Sequence, residues 1–301
     1  MQKNQLRNIN GIFLLDKPIG LSSNQALQRA KKIYAAKKAG HTGSLDVLAS
    51  GLLPLCFGEA TKFSQFLLEA DKVYFVRAKL GERTATCDRE GEVTETKPTD
   101  HINLSLIEEI LKKYRGEVSQ IPSMYSALKH HGQPLYKLAR QNIEVEREPR
   151  IVNIYDLTLV EWTQDTLALS VHCSKGTYVR NLVDDIGQDL NCGAYVTELR
   201  RLKAGPFSAE QMITLEQLEG ILETGGYPAI DQLLLPVEST LAHFPILEIN
   251  ASQTRDLQQG KTVPIETSLT GCVQLVRQPH QLLGVGEISD GVLTAKRLIR
   301  Q

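Results

Sequence analysis

The sequence predicts an α+β protein: a large body of interspersed strands and amphipathic helices, followed by a small β-rich unit. Three observations carry this. Short apolar or alternating runs trade places with capped helical stretches through most of the chain. The acidic, Pro-containing stretch Leu235-Pro236-Val237-Glu238 then marks a boundary. Beyond it, roughly the last 60 residues, near the lower size limit for independent folding, hold runs such as Val273-Gln274-Leu275-Val276 and Leu282 to Ile288 between Gly and Pro turns. The expected division is 9–240 and 241–301.

The elements follow in order. Gly11-Ile12-Phe13-Leu14-Leu15 reads as a buried strand stopped by Asp16-Lys17-Pro18-Ile19-Gly20. Ser22 or Ser23 caps a helix with Ala26, Leu27, Ala30, Ile33 and Tyr34 on one face and Arg29, Lys31 and Lys32 on the other. A helix is expected over Ala60 to Leu68, with Phe63, Phe66 and Leu67 together. Lys72 to Leu80 alternates as a strand, placing Tyr74, Val76, Ala78 and Leu80 on one face. A helix near Leu104 to Tyr114 ends at Gly116, strands cover Ile151 to Val160 and Leu167 to His172, and helices run to about Leu190 and from Leu215 to Leu222.

Composition bounds the function. The chain has 301 residues, is 42% hydrophobic and carries a net charge of -1, so a sizeable core is affordable and only local patches can argue for nucleic-acid binding. Five widely spaced cysteines without a Cys-x-x-Cys pair argue for a reducing compartment and against structural zinc. Met1 to Arg7 lacks the apolar core of a signal peptide and no stretch approaches the ~20 apolar residues that span a bilayer. A cytoplasmic protein with no membrane partner is expected.

Two cationic regions stand out. From Lys17 to Leu45 there is no acid, while Lys17, Arg29, Lys31, Lys32, Lys37 and Lys38 supply positive charge, and Asp46 follows in a loop bracketed by Gly43 and Gly51. Ser123 to Ile143 again lacks acids and carries Lys129, Lys137 and Arg140 among Tyr125 and Tyr136; Lys296, Arg297 and Arg300 make the end basic. On residue type alone Asp46 reads first as a turn or capping residue, Asp88 likewise as a structural residue of a Ser/Thr/Asp turn, and Arg180 as a partner of nearby Asp184 and Asp185.

Several motifs in order change that reading: Leu15-Asp16-Lys17-Pro18, His41-Thr42-Gly43-Ser44-Leu45-Asp46, Tyr74 in its strand, Thr84-Ala85-Thr86-Cys87-Asp88, Pro122 to Lys129, Ser174 to Arg180, and Leu199-Arg200-Arg201. With them the chain closely resembles the TruB-type family of bacterial tRNA pseudouridine-55 synthases, over most of residues 10 to 207 and more weakly in the tail. The resemblance implies a pseudouridine-synthase fold, with a mixed, largely antiparallel sheet flanked by helices, and a PUA-type RNA-binding domain. It implies isomerisation of a T-arm uridine in tRNA with no cofactor and no obligate protein partner, and we expect a monomer.

It is this resemblance that raises Asp46 to catalytic acid. It assigns Arg180 to hold the carboxylate, Tyr74 and Tyr178 to pack against a flipped base, and Leu199 to close the pocket. His41 would fill the gap in the RNA stack, and Lys17 would contact phosphate or support the loop. One departure is visible: Val47 stands where the family has Pro, predicting a slightly less rigid loop. Two other readings stay open on residues alone. A non-catalytic tRNA-binding or RNA-folding protein would need the basic surfaces but not Asp46, and a hydrolase with paired carboxylates would need a second acid brought to Asp46 by the fold.

Overall fold

The computed structural model describes residues 5–126, 128–141, 143–279 and 281–299. The first four residues, Ala127 and Arg300 fall outside these, as does the side chain of Tyr136. The body is one mixed sheet, nine-stranded among the described residues. Its strands run in the order Gly11–Lys17, Ser50–Phe57, Ala194–Ala204, Lys72–Leu80, Thr166–Cys173, Arg150–Trp162 and Gly116–Gln120, with Ala39–His41 paired to Ser50–Phe57 and Phe207–Ser208 to Ala194–Ala204. Pairing is antiparallel except between Ala194–Ala204 and Ser50–Phe57, where Arg200 and Arg201 meet Ser50 and Gly51 in parallel register. This is the α+β fold that the sequence predicts.

The period-2 pattern of Lys72–Leu80 is realised: Val76, Ala78 and Leu80 are buried, and Tyr74 on the same face is half-buried where it meets a cavity. Ser50–Phe57 is buried along its whole length, as suits a strand covered on both faces. Helices Ser23–Ile33, Leu104–Lys113, Val179–Asp189 and Leu215–Asp231 pack on the sheet, and their apolar stripes join one core with Phe13, Leu53, Leu55, Phe57 and Leu169. Ser22 closes a capping box with Gln25 at the first of these helices.

Two expected elements differ in detail. The segment 60–68 is a 3-10 turn, Gly58–Lys62, followed by the short helix Ser64–Leu68; Phe63 and Leu67 are nonetheless buried together. The helix from Leu215 continues to Asp231 through a break at Gly226 (φ +66°), which lets Pro228 enter a new turn. Leu235 exchanges backbone hydrogen bonds with Ile12 (2.9 and 2.8 Å), tying the end of the body to its first strand.

The C-terminal residues form a five-stranded sheet, Ile246–Glu248, Gly271–Arg277, Gln281–Ser289, Val292–Leu298 and Val263–Pro264 in spatial order, with the helix Ala251–Gln258 against it. It is not detached from the body. Val276, Leu282 and Val285 share a cluster with Ile12, Leu52, Phe63 and Val237, and Gln274 Nε2 donates to the carbonyls of Leu241 and Phe244 (both 3.0 Å). No helix among the described residues is long and apolar enough to cross a membrane.

Candidate active site

Asp46 sits on the loop between strands Ala39–His41 and Ser50–Phe57. Gly43 (φ +77°) and Gly51 (φ +96°) give this loop left-handed backbone at its two ends, a conformation that side chains resist. Between them the backbone is tied to its neighbours. Leu45 N–H donates to Ser23 Oγ (2.7 Å), whose hydroxyl donates back to Leu45 O (3.1 Å). Gly20 N–H donates to Val47 O (2.9 Å) and Ala49 N–H to Asp46 O (3.1 Å).

Lys17 lies fully buried behind the loop, where its ammonium donates to Ala49 O (2.7 Å) and Pro18 O (2.8 Å). The bond to Ala49 ties the end of the first strand to the Asp46 loop. Burial lowers its pKa to about 8, a shift that Asp46 opposes and Arg201 reinforces.

Arg180 begins the helix Val179–Asp189, whose N-cap is Tyr178. The chain enters this helix through a turn in which Gly176 takes φ +79° and Thr177 Oγ1 donates to Ser174 O (3.0 Å). Gln120 then clamps the Tyr178 backbone, accepting from its N–H (3.1 Å) and donating to its carbonyl (3.3 Å). Arg180 does not pair with Asp184, which Arg83 holds through two 2.8 Å bonds. Its Nε lies 2.9 Å from Asp46 Oδ2 and its Nη1 2.8 Å from Asp88 Oδ2. Nη1 also donates to Thr86 O (3.1 Å) and Nη2 to Tyr125 O (3.0 Å).

Asp88 is thus the carboxylate that sequence reasoning left in a turn. It is indeed bonded within that turn, accepting from Thr86 Oγ1 (2.5 Å) and Glu90 N–H (3.0 Å), but its second oxygen faces Arg180. The two acids differ sharply in access: the side chain of Asp88 is 3% exposed and that of Asp46 44%. Asp88 can balance the buried guanidinium while Asp46 keeps an open side toward the cleft. The crowding walls raise the Asp46 carboxyl above its ordinary value, against the pull of Arg180; Asp88 adds to the rise and Lys17 opposes it.

The central strands bring the remaining residues to this pair. A cavity of about 120 Å³ is lined by Asp46, Tyr74, Tyr178, Arg180 and Leu199, roughly the volume of four liquid waters. It adjoins a wider cleft of about 510 Å³ that shares Asp46 and Arg180 and includes His41, Tyr125 and Arg140. Leu199 stands opposite Val76 in the sheet register and is nearly buried. Burial raises the phenols of Tyr74 and Tyr178, so both rings are neutral walls. His41 lies at the cleft rather than in the cavity; burial, then Arg201, lowers its pKa, so its ring is uncharged at neutral pH.

A small recess with one accessible carboxylate, an arginine beside it and two aromatic walls is carried on the mixed sheet, and comparison with known proteins gives its class as that of the pseudouridine synthases. Residues 31–179 match the TruB family pseudouridylate synthase N-terminal domain, residues 180–242 the tRNA pseudouridylate synthase B C-terminal domain, and residues 245–299 the pseudouridine synthase II TruB C-terminal domain. The chain belongs to the TruB family. It is 52% identical over 297 residues to "tRNA pseudouridine synthase B" of Coxiella burnetii (98% of this chain, 96% of that protein) and 51% identical over 296 residues to the protein of that name from Pseudomonas fluorescens (98% and 97%). Among solved structures it resembles that of a Cbf5-Nop10-Gar1 complex (TM-score 0.75, 26% identity, 96% of this chain and 84% of that one). The fold is also that of an H/ACA RNP bound to a substrate RNA containing 2'-deoxyuridine (TM-score 0.73, 23% identity, 97% and 85%).

Proposed function

We propose that this protein is a tRNA pseudouridine synthase that isomerises uridine 55 in the T-arm, with Asp46 as its catalytic carboxylate. The observation that carries the reading is the Asp46–Arg180 pair (2.9 Å) set in a small recess between Tyr74 and Tyr178. The family supports tRNA as the substrate; the T-arm position follows from the resemblance of the motifs.

The reaction breaks the C1'–N1 bond, turns the uracil without releasing it and joins C5 to C1', so every atom is retained and no electron carrier or transferred group is required. The target base must leave its stack to reach the recess. Tyr74 and Tyr178 then face its ring, Leu199 closes over it and His41, at the cleft, takes the space the base has left. Arg180 orients Asp46 and favours its ionised form at the sugar and base. Attack on the sugar carbon, addition to the base and removal of a sugar proton all use the same ionised oxygen. Lys17 holds the loop from behind.

Lys129, Lys137 and Arg140 are exposed on a segment anchored by the buried Met124, Leu135 and Leu138, and these cations suit the RNA backbone. The reading includes a cytoplasmic monomer acting without an obligate protein partner, and size-exclusion of the protein with and without tRNA checks that part. The deciding experiment incubates unmodified tRNA with wild type and with Asp46→Asn, derivatises pseudouridine chemically, and maps it by reverse transcription and mass spectrometry. Modification at the T-arm uridine by wild type alone is expected. Binding without modification by either protein would leave an RNA-folding protein instead.

A further inference from the structure

Arg201 is the largest fully buried side chain among the described residues, 1% exposed, and no carboxylate lies within ion-pair distance of it there. A buried guanidinium is costly unless its donors find acceptors, and here two of its nitrogens bond backbone carbonyls beside the site. Nε donates to Leu52 O (2.7 Å) and Nη2 to Gly43 O (3.2 Å). Arg201 is also the direct cross-strand neighbour of Tyr74. Its backbone meets Gly51 in the parallel bridge. A Cβ on Gly51 would stand 2.3 Å from Arg201 O, so this approach is open only to glycine.

One residue therefore touches both left-handed ends of the Asp46 loop and a wall of the recess. Its neighbour Arg200 contributes to the same seam from the other face, pairing with Asp16 through two bonds (3.0 and 2.7 Å), but reaches neither glycine carbonyl nor tyrosine. Arg201 does not face the cavity itself.

We propose that Arg201 is a positioning residue for the isomerisation: it sets the Asp46 loop and the Tyr74 ring in one frame, so that the carboxylate and the base-facing wall hold a fixed separation. The proposal rests on the assignment of Asp46 and Tyr74 made above. Lysine can satisfy one of these acceptors at a time but not the fork, since an ammonium is a compact point donor and guanidinium a planar one. Misplacing reacting groups by about an ångström costs on the order of 100-fold in rate.

The test compares wild type, Arg201→Lys, Tyr74→Phe and the double variant in single-turnover T-arm modification, with RNA affinity from filter binding and the folded fraction from thermal melts at the assay temperature. Arg201→Lys is expected to lower the single-turnover rate about 10- to 100-fold, with RNA affinity within about 3-fold of wild type and the protein still folded. The double variant is expected to fall by clearly less than the product of the two single losses. A wild-type rate for Arg201→Lys, a loss matched by its unfolded fraction, or multiplicative losses in the double variant would each overturn the proposal. If Arg201→Lys does not fold, Arg201→Gln, whose amide can donate to one carbonyl but not to both, takes its place in the same comparison, and a wild-type rate at unchanged affinity sinks the idea. Asp46→Asn in the same assay separates the two levels: activity in that variant refutes the site assignment and the proposal with it, whereas an inactive Asp46→Asn beside a wild-type rate in Arg201→Lys refutes the role of Arg201 alone.

Discussion

The functional pair is asymmetric by design of its surroundings: one arginine lies between a sealed acid and an open one. Removing the sealed partner should hurt most. Asp88→Ala leaves Arg180 buried opposite a void, and breaking such a pair is expected to cost about 3–5 kcal/mol, read as a lower denaturation midpoint, together with loss of modification activity. With Asp46 as the proposed catalytic carboxylate, activity is expected to need it ionised, and its surroundings raise its pKa above the ordinary value. The acid limb of kcat/KM should therefore have its midpoint above about 4, the ordinary carboxylate range. Lys17 favours the ionised form, so Lys17→Met should move this limb to higher pH; a limb at or below the ordinary value would contradict the desolvation account. Asp88 and Arg201 were the residues whose roles the sequence did not disclose. Both stood in quoted motifs, yet a turn acid and the second of two arginines have ordinary uses, and only the fold shows what lies across from them.

At the level of elements, the loop carrying Asp46 depends on its neighbours more than on its own stiffness. Val47 is exposed and its carbonyl is held by Gly20, so the Pro of the family is replaced without freeing the segment. Val47→Pro should accordingly change the rate by no more than about 5-fold, since entropy effects of this kind are worth about 0.4–1 kcal/mol; modification assays check it. Gly51→Ala is the opposite case. With φ +96° and a backbone oxygen 2.3 Å from the new Cβ, it should destabilise the protein by at least about 1–2 kcal/mol and reduce activity, as denaturant unfolding and the same assay would show. Strand and helix positions were legible because period-2 and helical patterns report burial directly, as in Lys72–Leu80. The break at Gly226 and the 3-10 turn before Ser64 were not, because local pattern does not say where a helix must bend to meet the sheet.

For the whole molecule, the C-terminal sheet shares apolar surface with the body. A chain ending at residue 240 would uncover Ile12, Leu52, Phe63 and Val237, which now pack with Val276, Leu282 and Val285. Such a truncation should melt lower than the full chain and bind a hydrophobic dye; an unchanged melting curve would show the body to be self-sufficient.

The parallel bridge between Ser50-Gly51 and Arg200-Arg201 also bears on biosynthesis. The loop that carries the acid is translated long before the strand that braces it: at about 5–20 residues per second, roughly 8 to 30 s separate them on the ribosome. A nascent chain holding residue 46 but not residue 201 has the Asp46 loop without the strand it is bridged to. If Arg201 positions the loop as proposed, a chain stalled before two-thirds of the polypeptide has emerged is expected to be inactive, which modification assays on arrested nascent chains would check.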